Sequence, residues 1–114
     1  MSGERVVVTG GRGFIGRDEI FYALDDVRPV ALASGGATGV DAIAKDYAEA
    51  RGIPFTEYPA DWRTHGRRAG PLRNRTMLDG FKPDLVLAFP GGRGTADCVR
   101  QARAAGIPVI EMVP

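Results

Sequence analysis

The sequence has little of what several classes of protein require. Its 114 residues include one cysteine, Cys98, which excludes an internal disulfide and a zinc site made of cysteines. They also include one histidine, His65, so no second imidazole or thiol completes a zinc ligand set. We therefore predict no metal and no other cofactor, and we interpret His65 as a surface loop residue rather than a catalyst.

The sequence also lacks an excess of charge of either sign and lacks long hydrophobic runs. Lys and Arg number 15 against 14 Asp and Glu, so net charge provides no whole-molecule attraction to nucleic acid or to an anionic membrane. The longest apolar runs are far below membrane-spanning length, and the first residues lack the apolar stretch of a signal peptide. We expect a cytoplasmic protein without a membrane partner, and nucleic acid is not the expected partner either.

The chain length predicts one domain over residues 1–114, too short for a nucleotide domain plus a separate catalytic domain. Short β-branched or apolar runs alternate with helical patterns, which predicts a parallel sheet with right-handed crossovers. We predict a Rossmann-like three-layer sandwich with about five strands in the order 3-2-1-4-5 and helices on both faces. The predicted strands are 5–9, 30–34, 53–58, 85–89 and 107–113, with the proline-containing third strand at an edge.

Residues 83–99 form the junction around which we place the rest of the chain. Leu85 to Phe89 is an apolar run between two prolines, which is typical of a strand buried on both faces. A glycine turn follows, and Thr95 is predicted to cap the next helix, which ends near Gly106. The backbone amides of such a turn attract phosphate, although one isolated turn of this kind is equally consistent with a simple strand-to-helix connection.

The same arrangement occurs three times. Ten of the 16 glycines lie in the loops 10–16, 35–39 and 91–94, and each loop directly follows a predicted strand. In an open parallel sheet these loops meet at the carboxyl ends of the strands, and the first and third flank the switch point where ligands bind. The pattern predicts a site for a phosphate-bearing small molecule.

The remaining helices are predicted from periodicity and from glycine and proline. Residues 18–25 form the first, and Val40 begins the apolar stripe of the second, for which Thr38 and Asp41 have capping-box spacing. Residues 59–70 are predicted to be irregular. Pro71 then begins a helix that Gly80 ends.

Residues 61–75 contain five of the 15 basic residues. Arginine suits bidentate contact with phosphate, and Trp62 can either stack on a base or anchor the loop to the core. The alternative for Arg63, Arg67 and Arg68 is a solvated loop. Arg73 and Asn74 have the stronger case for ligand contact, because they follow Gly-Pro at a helix start.

Several stretches together resemble the small YspA-type proteins of the SLOG superfamily over nearly the whole chain. They are the early Gly-Gly-Arg, residues 35–41, Pro-Ala-Asp-Trp at 59–62, the segment 66–77 and Ala-Phe-Pro-Gly-Gly-x-Gly-Thr-Ala at 88–96. The superfamily is similar to the Lonely Guy phosphoribohydrolases, the molybdenum-cofactor carrier proteins and the SMF/DprA proteins. The resemblance implies a Rossmannoid fold, a nucleotide-type pocket, sensing or processing of a nucleotide-derived ligand, and a homodimer.

The Lonely Guy enzymes use Arg-x-x-x-Met and Pro-Gly-Gly-x-Gly-Thr-x-x-Glu stretches, whose Arg and Glu take part in cleavage of the base–ribose bond. Arg73 and Met77 match the first stretch, and residues 90–95 match the second, but Cys98 stands at the glutamate position. A thiol cannot stabilise an oxocarbenium-like centre as a carboxylate does. The same reaction would therefore need Asp97 or Asp41, so the catalytic candidates are Arg73, Asp97 and Asp41.

Two further similarities leave other functions open. Ser34 to Ala44 matches the DprA stretch Ser-Gly-x-Ala-x-Gly-Ile-Asp-x-x-Ala-His, with Val40 for Ile and Lys45 for His, which makes single-stranded DNA an alternative partner. Residues 9–16 fit the Thr-Gly-x-x-Gly-Phe-Ile-Gly turn of extended short-chain dehydrogenases. However, the second strand ends in Ser34-Gly35 without the acidic residue that holds a ribose hydroxyl, and no Tyr-x-x-x-Lys follows, which argues against nicotinamide chemistry.

We therefore expect binding of a nucleotide or nucleotide derivative at the carboxyl edge of the sheet, for sensing or sequestering. A hydrolase acting on a nucleoside monophosphate or related N-glycoside is the alternative. We expect phosphate to bind the backbone amides of residues 91–95, and we expect Asp41 to contact a ribose hydroxyl. The predicted ligand-binding residues are Gly10, Gly11, Arg12, Gly35, Gly36, Asp41, Arg73, Asn74, Pro90, Gly91, Gly92, Arg93, Gly94 and Thr95.

Overall fold

The computed structural model describes residues 4–13 and 16–112. Within these ranges the sheet has five strands, all parallel, in the order β3-β2-β1-β4-β5. Helices cover both faces, so the predicted Rossmann-like fold and its strand order are confirmed. The strands are β1 (Glu4–Thr9), β2 (Pro29–Ser34), β3 (Phe55–Glu57), β4 (Leu85–Ala88) and β5 (Val109–Glu111).

Burial separates the central strands from the edges. Every residue of β4 is buried, and so are the last four residues of β1, as expected for strands covered by helices on both faces. The edge strands β3 and β5 have three residues each and expose most of them. The edge position predicted for β3 is confirmed, whereas both edge strands are shorter than predicted. Phe14 and Ile15 of the first glycine loop and Val113 of the predicted fifth strand lie outside the described residues.

The helices divide into two layers. Val6 and Val8 of β1 face one apolar cluster, to which the first two helices contribute, while Val7 between them faces a second cluster with the last two. The helices are α1 (Arg17–Val27), α2 (Val40–Arg51), α3 (Trp62–His65), α4 (Ala69–Phe81) and α5 (Arg93–Ala104), with a 3₁₀ turn at Gly66–Arg68 between α3 and α4. No helix in the described part of the chain is long and apolar enough to cross a membrane.

The segment 59–70, predicted to be irregular, is partly helical. Asp61 accepts a hydrogen bond from the backbone N–H of Thr64 at 3.1 Å and so caps α3. The sequence did not predict this single turn of helix, because four residues are too few to show helical periodicity. The predicted stop at Gly80 is also wrong: α4 continues to Phe81, which packs in the second cluster, and Lys82 ends the helix with a left-handed φ of 52°.

Two predicted side-chain caps are not formed. Helix α5 begins at Arg93, so its cap position is Gly92, three residues before the cap predicted at Thr95, and α2 begins after Gly39. No side chain of the described residues caps either helix. Asp41 instead accepts a hydrogen bond from the N–H of Ala37 at 3.0 Å. The close packing of the loops decides both helix starts, and it overrides the local capping preference.

Backbone hydrogen bonds join the three glycine loops to one another. Gly11 donates to the carbonyl of Pro90 at 2.9 Å, and its own carbonyl accepts from Val40 at 3.2 Å. The loops after β1, β2 and β4 are therefore tied together where the strands end. This places them at the switch point between β1 and β4, the usual position of a ligand site in an open parallel sheet.

Candidate functional site

A cavity of about 350 Å³ opens between the three loops and the start of α4. Its size lies at the lower end of the ~300–1,000 Å³ of small-molecule sites. All three strand-end loops contribute to its wall, as the glycine pattern predicts. The lining residues are Thr9, Gly10, Gly11, Arg12, Ala37, Asp41, Trp62, Gly70, Arg73, Gly92, Gly94 and Thr95.

The start of α5 forms one side of this cavity. Its first turn carries no acidic residue, and no side chain among the described residues caps it. The first amide that bonds back along the helix is that of Ala96, to Gly92. The amides before it belong to the helix turn whose N–H groups lack intrahelical acceptors, and the positive end of the helix dipole lies there. This side of the cavity favours an anion.

The start of α2 forms another side of the cavity, and its hydrogen-bonding groups differ from those at the start of α5. The amide of Val40 is already bonded to Gly11, and the carboxyl of Asp41 lies in the first turn. Asp41 is 6% exposed, and burial raises its pKa above 3.8, against the opposing effect of the Ala37 amide and of Arg73. This wall accepts hydrogen bonds and does not favour a second anion.

Arg73 lies between these two walls. Its Nη1 donates to the carbonyls of Gly35 at 2.8 Å and Tyr58 at 3.3 Å, and its Nε donates to Oδ1 of Asn74 at 2.9 Å. The absence of a side chain at Gly35 makes this position possible, because a Cβ there would collide with Nη1. Arg73 is thus a guanidinium held in a fixed orientation in the cavity wall.

The structure brings most of the predicted binding residues into this wall. Gly35 lies behind Arg73, and Gly36 lies against the side chain of Glu57. Pro90 and Gly91 line a neighbouring cavity of about 240 Å³ beside β5, and Arg93 is exposed outside both cavities. Asn74 is 2% exposed and lies behind the wall. The predicted residues that line the main cavity are Gly10, Gly11, Arg12, Asp41, Arg73, Gly92, Gly94 and Thr95.

Two of the three catalytic candidates line the cavity, namely Arg73 and Asp41. Asp97 does not; it is 8% exposed and accepts hydrogen bonds from Asn74, Arg100 and Gln101. Its carboxylate is thus already bonded to α4 and to its own helix.

Cys98, at the glutamate position of the resemblance, is fully buried in the second apolar cluster. Burial raises the pKa of its thiol to about 11, so the thiol is protonated at neutral pH. A residue at this position faces the sheet and not the cavity.

Sequence reasoning did not assign Thr9, Ala37 or Gly70 to the site. The six-membered ring of Trp62 would lie 3.4 Å from a Cβ at Gly70, and half of this tryptophan is exposed at the cavity mouth. Anchoring and ligand contact, treated as alternatives for Trp62 above, are therefore compatible. The sequence signal that could have identified Gly70 is a small residue directly before Pro71.

The three arginines that precede α4 are exposed. Arg63, Arg67 and Arg68 form no ion pair with any described residue. His65 lines a separate cavity of about 290 Å³ on the far side of Arg73, together with Asp61. No group of three or more His, Cys, Asp or Glu within 4–13 and 16–112 is arranged to hold a metal ion.

Comparison with known proteins agrees with this architecture. The chain is similar to the Gene 61 protein of Mycobacterium phage D29, with 42% identity over 118 aligned positions that cover 93% of this chain and 94% of the phage protein. Residues 4–65, which contain β1 to α3 and two of the three glycine loops, match the family described as YspA, cpYpsA-related SLOG. The family match spans more than half of the chain and establishes that this chain belongs to the YspA, cpYpsA-related SLOG family.

Proposed function

We propose that this protein binds a nucleotide or nucleotide derivative at the carboxyl edge of its sheet, with phosphate on the amides at the start of α5. The observation that carries the proposal is the cavity of about 350 Å³ between an uncapped helix start and a fixed guanidinium. Family membership supports a nucleotide-related ligand. Phosphate binds to a helix N-terminus and to an arginine through charge-assisted hydrogen bonds, which are stronger than hydrogen bonds between neutral groups.

The two helix starts give the ligand a direction. Phosphate binds at α5, where the amides are open, and not at α2, where the Val40 amide is bonded and Asp41 is near. A ribose hydroxyl can donate to Asp41 at that end. The indole of Trp62 at the mouth then offers an apolar face to the base. Arg12 is exposed in the first loop and adds a second positive charge beside the phosphate.

Binding without turnover, for sensing or sequestering, is the form of the proposal that the site supports best. The position that carries glutamate in the Lonely Guy pattern is the buried thiol of Cys98, and Asp97 is occupied by three hydrogen bonds. Replacing Cys98 with Glu would place a carboxylate in an apolar cluster, so we expect that variant to lose stability and not to gain activity.

Hydrolysis of an N-glycosidic bond is the second candidate, because Asp41 is a buried cavity carboxyl with a raised pKa. A buried carboxyl whose pKa is raised by desolvation is suited to general acid or base catalysis. In this version Asp41 acts as general acid or base while Arg73 holds the phosphate. Binding of single-stranded DNA remains the third and weakest candidate, since the near-neutral net charge gives little non-specific attraction.

One experiment separates these possibilities. The purified protein is incubated with a panel of nucleoside mono-, di- and triphosphates, thermal shift reports binding, and chromatography reports free base. We expect stabilisation by at least one nucleotide that exceeds stabilisation by its nucleoside, without release of base. Release that disappears in Asp41→Asn would establish the hydrolase. No stabilisation by any nucleotide, combined with tight and length-dependent binding of single-stranded DNA, would overturn the proposal.

A homodimer is the assembly that the resemblance implies, and it is also a proposal. Light scattering coupled to gel filtration measures it directly. A mass near the 12.2 kDa of one chain at micromolar concentration would contradict it.

A further inference from the structure

The side-chain amide of Asn74 lies behind the cavity wall, between α4 and α5. The residue is 2% exposed and belongs to the second turn of α4. Asparagine is a poor residue for a helix interior, because its side chain competes for backbone hydrogen bonds. A buried asparagine at such a position therefore requires hydrogen-bond partners for its side-chain amide.

Asn74 has those partners in three directions. Its Oδ1 accepts from Nε of Arg73 at 2.9 Å, and its Nδ2 donates to the carbonyl of Gly94 at 3.1 Å and to Oδ2 of Asp97 at 3.0 Å. The orientation of the amide follows from the chemistry of the partners. Arginine only donates, whereas a carbonyl and a carboxylate only accept, so the oxygen must face Arg73 and the nitrogen must face α5.

These bonds connect the two groups that the proposed function assigns to phosphate. Arg73 supplies the guanidinium, and Gly94 belongs to the first turn of α5, which lines the cavity. One rigid planar group thus sets the separation between the cation and the helix start. We propose that Asn74 is a positioning residue that holds Arg73 and the start of α5 in register for a phosphate it does not touch.

This inference rests on the proposed function and adds to it a reason why the two parts of the anion site keep a fixed separation. A site held in its productive geometry loses less free energy on binding than one that must assemble. No other side chain of this size replaces the amide. Aspartate keeps an acceptor for Arg73 but places a second carboxylate against Asp97, and leucine removes the hydrogen bonds to all three partners.

Gln101 provides a matched control on the same network. Its Nε2 donates to Oδ2 of Asp97 at 2.8 Å and to the carbonyl of Pro71 at 3.0 Å. It therefore ties α5 to α4 as Asn74 does, but it contacts neither Arg73 nor Gly94. If Asn74 only held the two helices together, replacing Asn74 or Gln101 would have the same effect on ligand binding.

The test compares AMP with adenosine by calorimetry in wild type, Asn74→Ala and Gln101→Ala. We expect Asn74→Ala to weaken AMP binding by about tenfold while changing adenosine binding little, since the lost order concerns the phosphate end. Gln101→Ala should leave the ratio of the two affinities unchanged. Equal loss for AMP and adenosine in Asn74→Ala, or the same change of the ratio in Gln101→Ala, would overturn the inference.

A measurement on the wild-type protein covers the case in which Asn74→Ala does not fold. In ¹H–¹⁵N spectra, addition of AMP should shift the side-chain amide of Asn74 and the Nε–H of Arg73 together with the backbone amide of Thr95, but not the side-chain amide of Gln101. A shift at Thr95 without one at Asn74 refutes the positioning role alone. No shift at Thr95 refutes the proposed function, and the positioning role with it.

Discussion

The glycines of the three strand-end loops look alike in the sequence, but in the structure they face two kinds of surroundings. A Cβ at Gly10 would lie 2.5 Å from a side chain of α2, one at Gly39 would meet two carbonyl oxygens of the first loop, and one at Gly91 would lie 2.7 Å from a backbone nitrogen of that loop. At Gly92 and Gly94, in contrast, a Cβ would meet no described atom within 4 Å, and both residues line the cavity. The first group lets the loops pack on one another, and the second leaves space at the start of α5.

Glycines in such a loop therefore serve two purposes, close packing and open space, which the composition of the loop does not distinguish. Close packing at Gly35 lets Arg73 enter the wall, and the open positions leave space for what Arg73 would bind. Substitution in the packed group should therefore cost stability, and substitution in the open group should cost binding. The predictions below test that division.

The largest effect is expected at Gly39. Its φ of 72° disfavours any side chain, and a Cβ would collide with two carbonyl oxygens, so Gly39→Ala should lower the free energy of unfolding by about 2–4 kcal/mol. Gly52→Ala is the matched control, because Gly52 also has a positive φ of 66° but faces open space; about 1 kcal/mol is expected there. Urea denaturation measures both, and equal losses would mean that strain alone acts.

Gly92→Val should abolish or strongly weaken nucleotide binding without loss of fold. A Cβ at Gly92 would meet no described atom within 4 Å, but the added side chain would occupy the proposed approach of the phosphate to the α5 amides. We expect a loss of affinity of at least about a hundredfold and a change in unfolding free energy of no more than about 1 kcal/mol, since Gly92 precedes the helix. Gly13→Val is the control, since a Cβ at Gly13 would likewise meet no described atom within 4 Å and Gly13 is not among the residues that line the cavity. Calorimetry showing equal affinities for both variants would place the phosphate elsewhere.

Arg73→Ala should weaken nucleotide binding by roughly 1.5–3 kcal/mol, which is ten- to a hundredfold, because a charge-assisted contact is lost. Arg75→Ala is the control on the same helix, where Arg75 is exposed and pairs with Asp79 at 3.6 Å. Titration of both variants with AMP measures the difference. Full affinity in Arg73→Ala would move the site away from this wall.

The smallest effect is a pH dependence at Asp41. Burial raises its folded pKa above 3.8, so ionisation opposes folding. The stability of wild type relative to Asp41→Asn should therefore fall as the pH rises from 3.8 through the raised pKa, and it should be constant above that window. Urea denaturation across this range gives the difference, and a flat difference would contradict the shift.

Asp25 serves as a control of opposite sign for that titration. Hydrogen bonds from Arg51 and Tyr47 lower the pKa of Asp25 to about 2. The stability it contributes is present above its ordinary pKa and is lost as the pH falls toward 2. Asp25→Asn should therefore lose stability at neutral pH relative to wild type, and the loss should disappear in acid.

Much of the fold was predictable because it follows from local patterns. Apolar runs identified β1, β2 and β4, and the alternation with helices led to the observed strand order. The predictions failed where contacts decide the outcome: Phe81 continues α4 past Gly80 because its ring packs in the core, and Gly92 starts α5 ahead of Thr95. The convergence of the glycine loops was likewise predictable, because parallel strands end at one edge.

The class of fold and the three loops at one sheet edge follow from the sequence alone, since periodicity and spacing are local properties. The packing of the layers decided which glycines are open, that Arg73 lies in the cavity wall, that Cys98 is buried and that Asn74 lies behind the wall. Those outcomes depend on partners far apart in the chain, such as Arg73 and Gly35, 38 positions apart, and Asn74 and Gly94, 20 positions apart. Distances of that kind are set when the layers pack, and no local pattern encodes them.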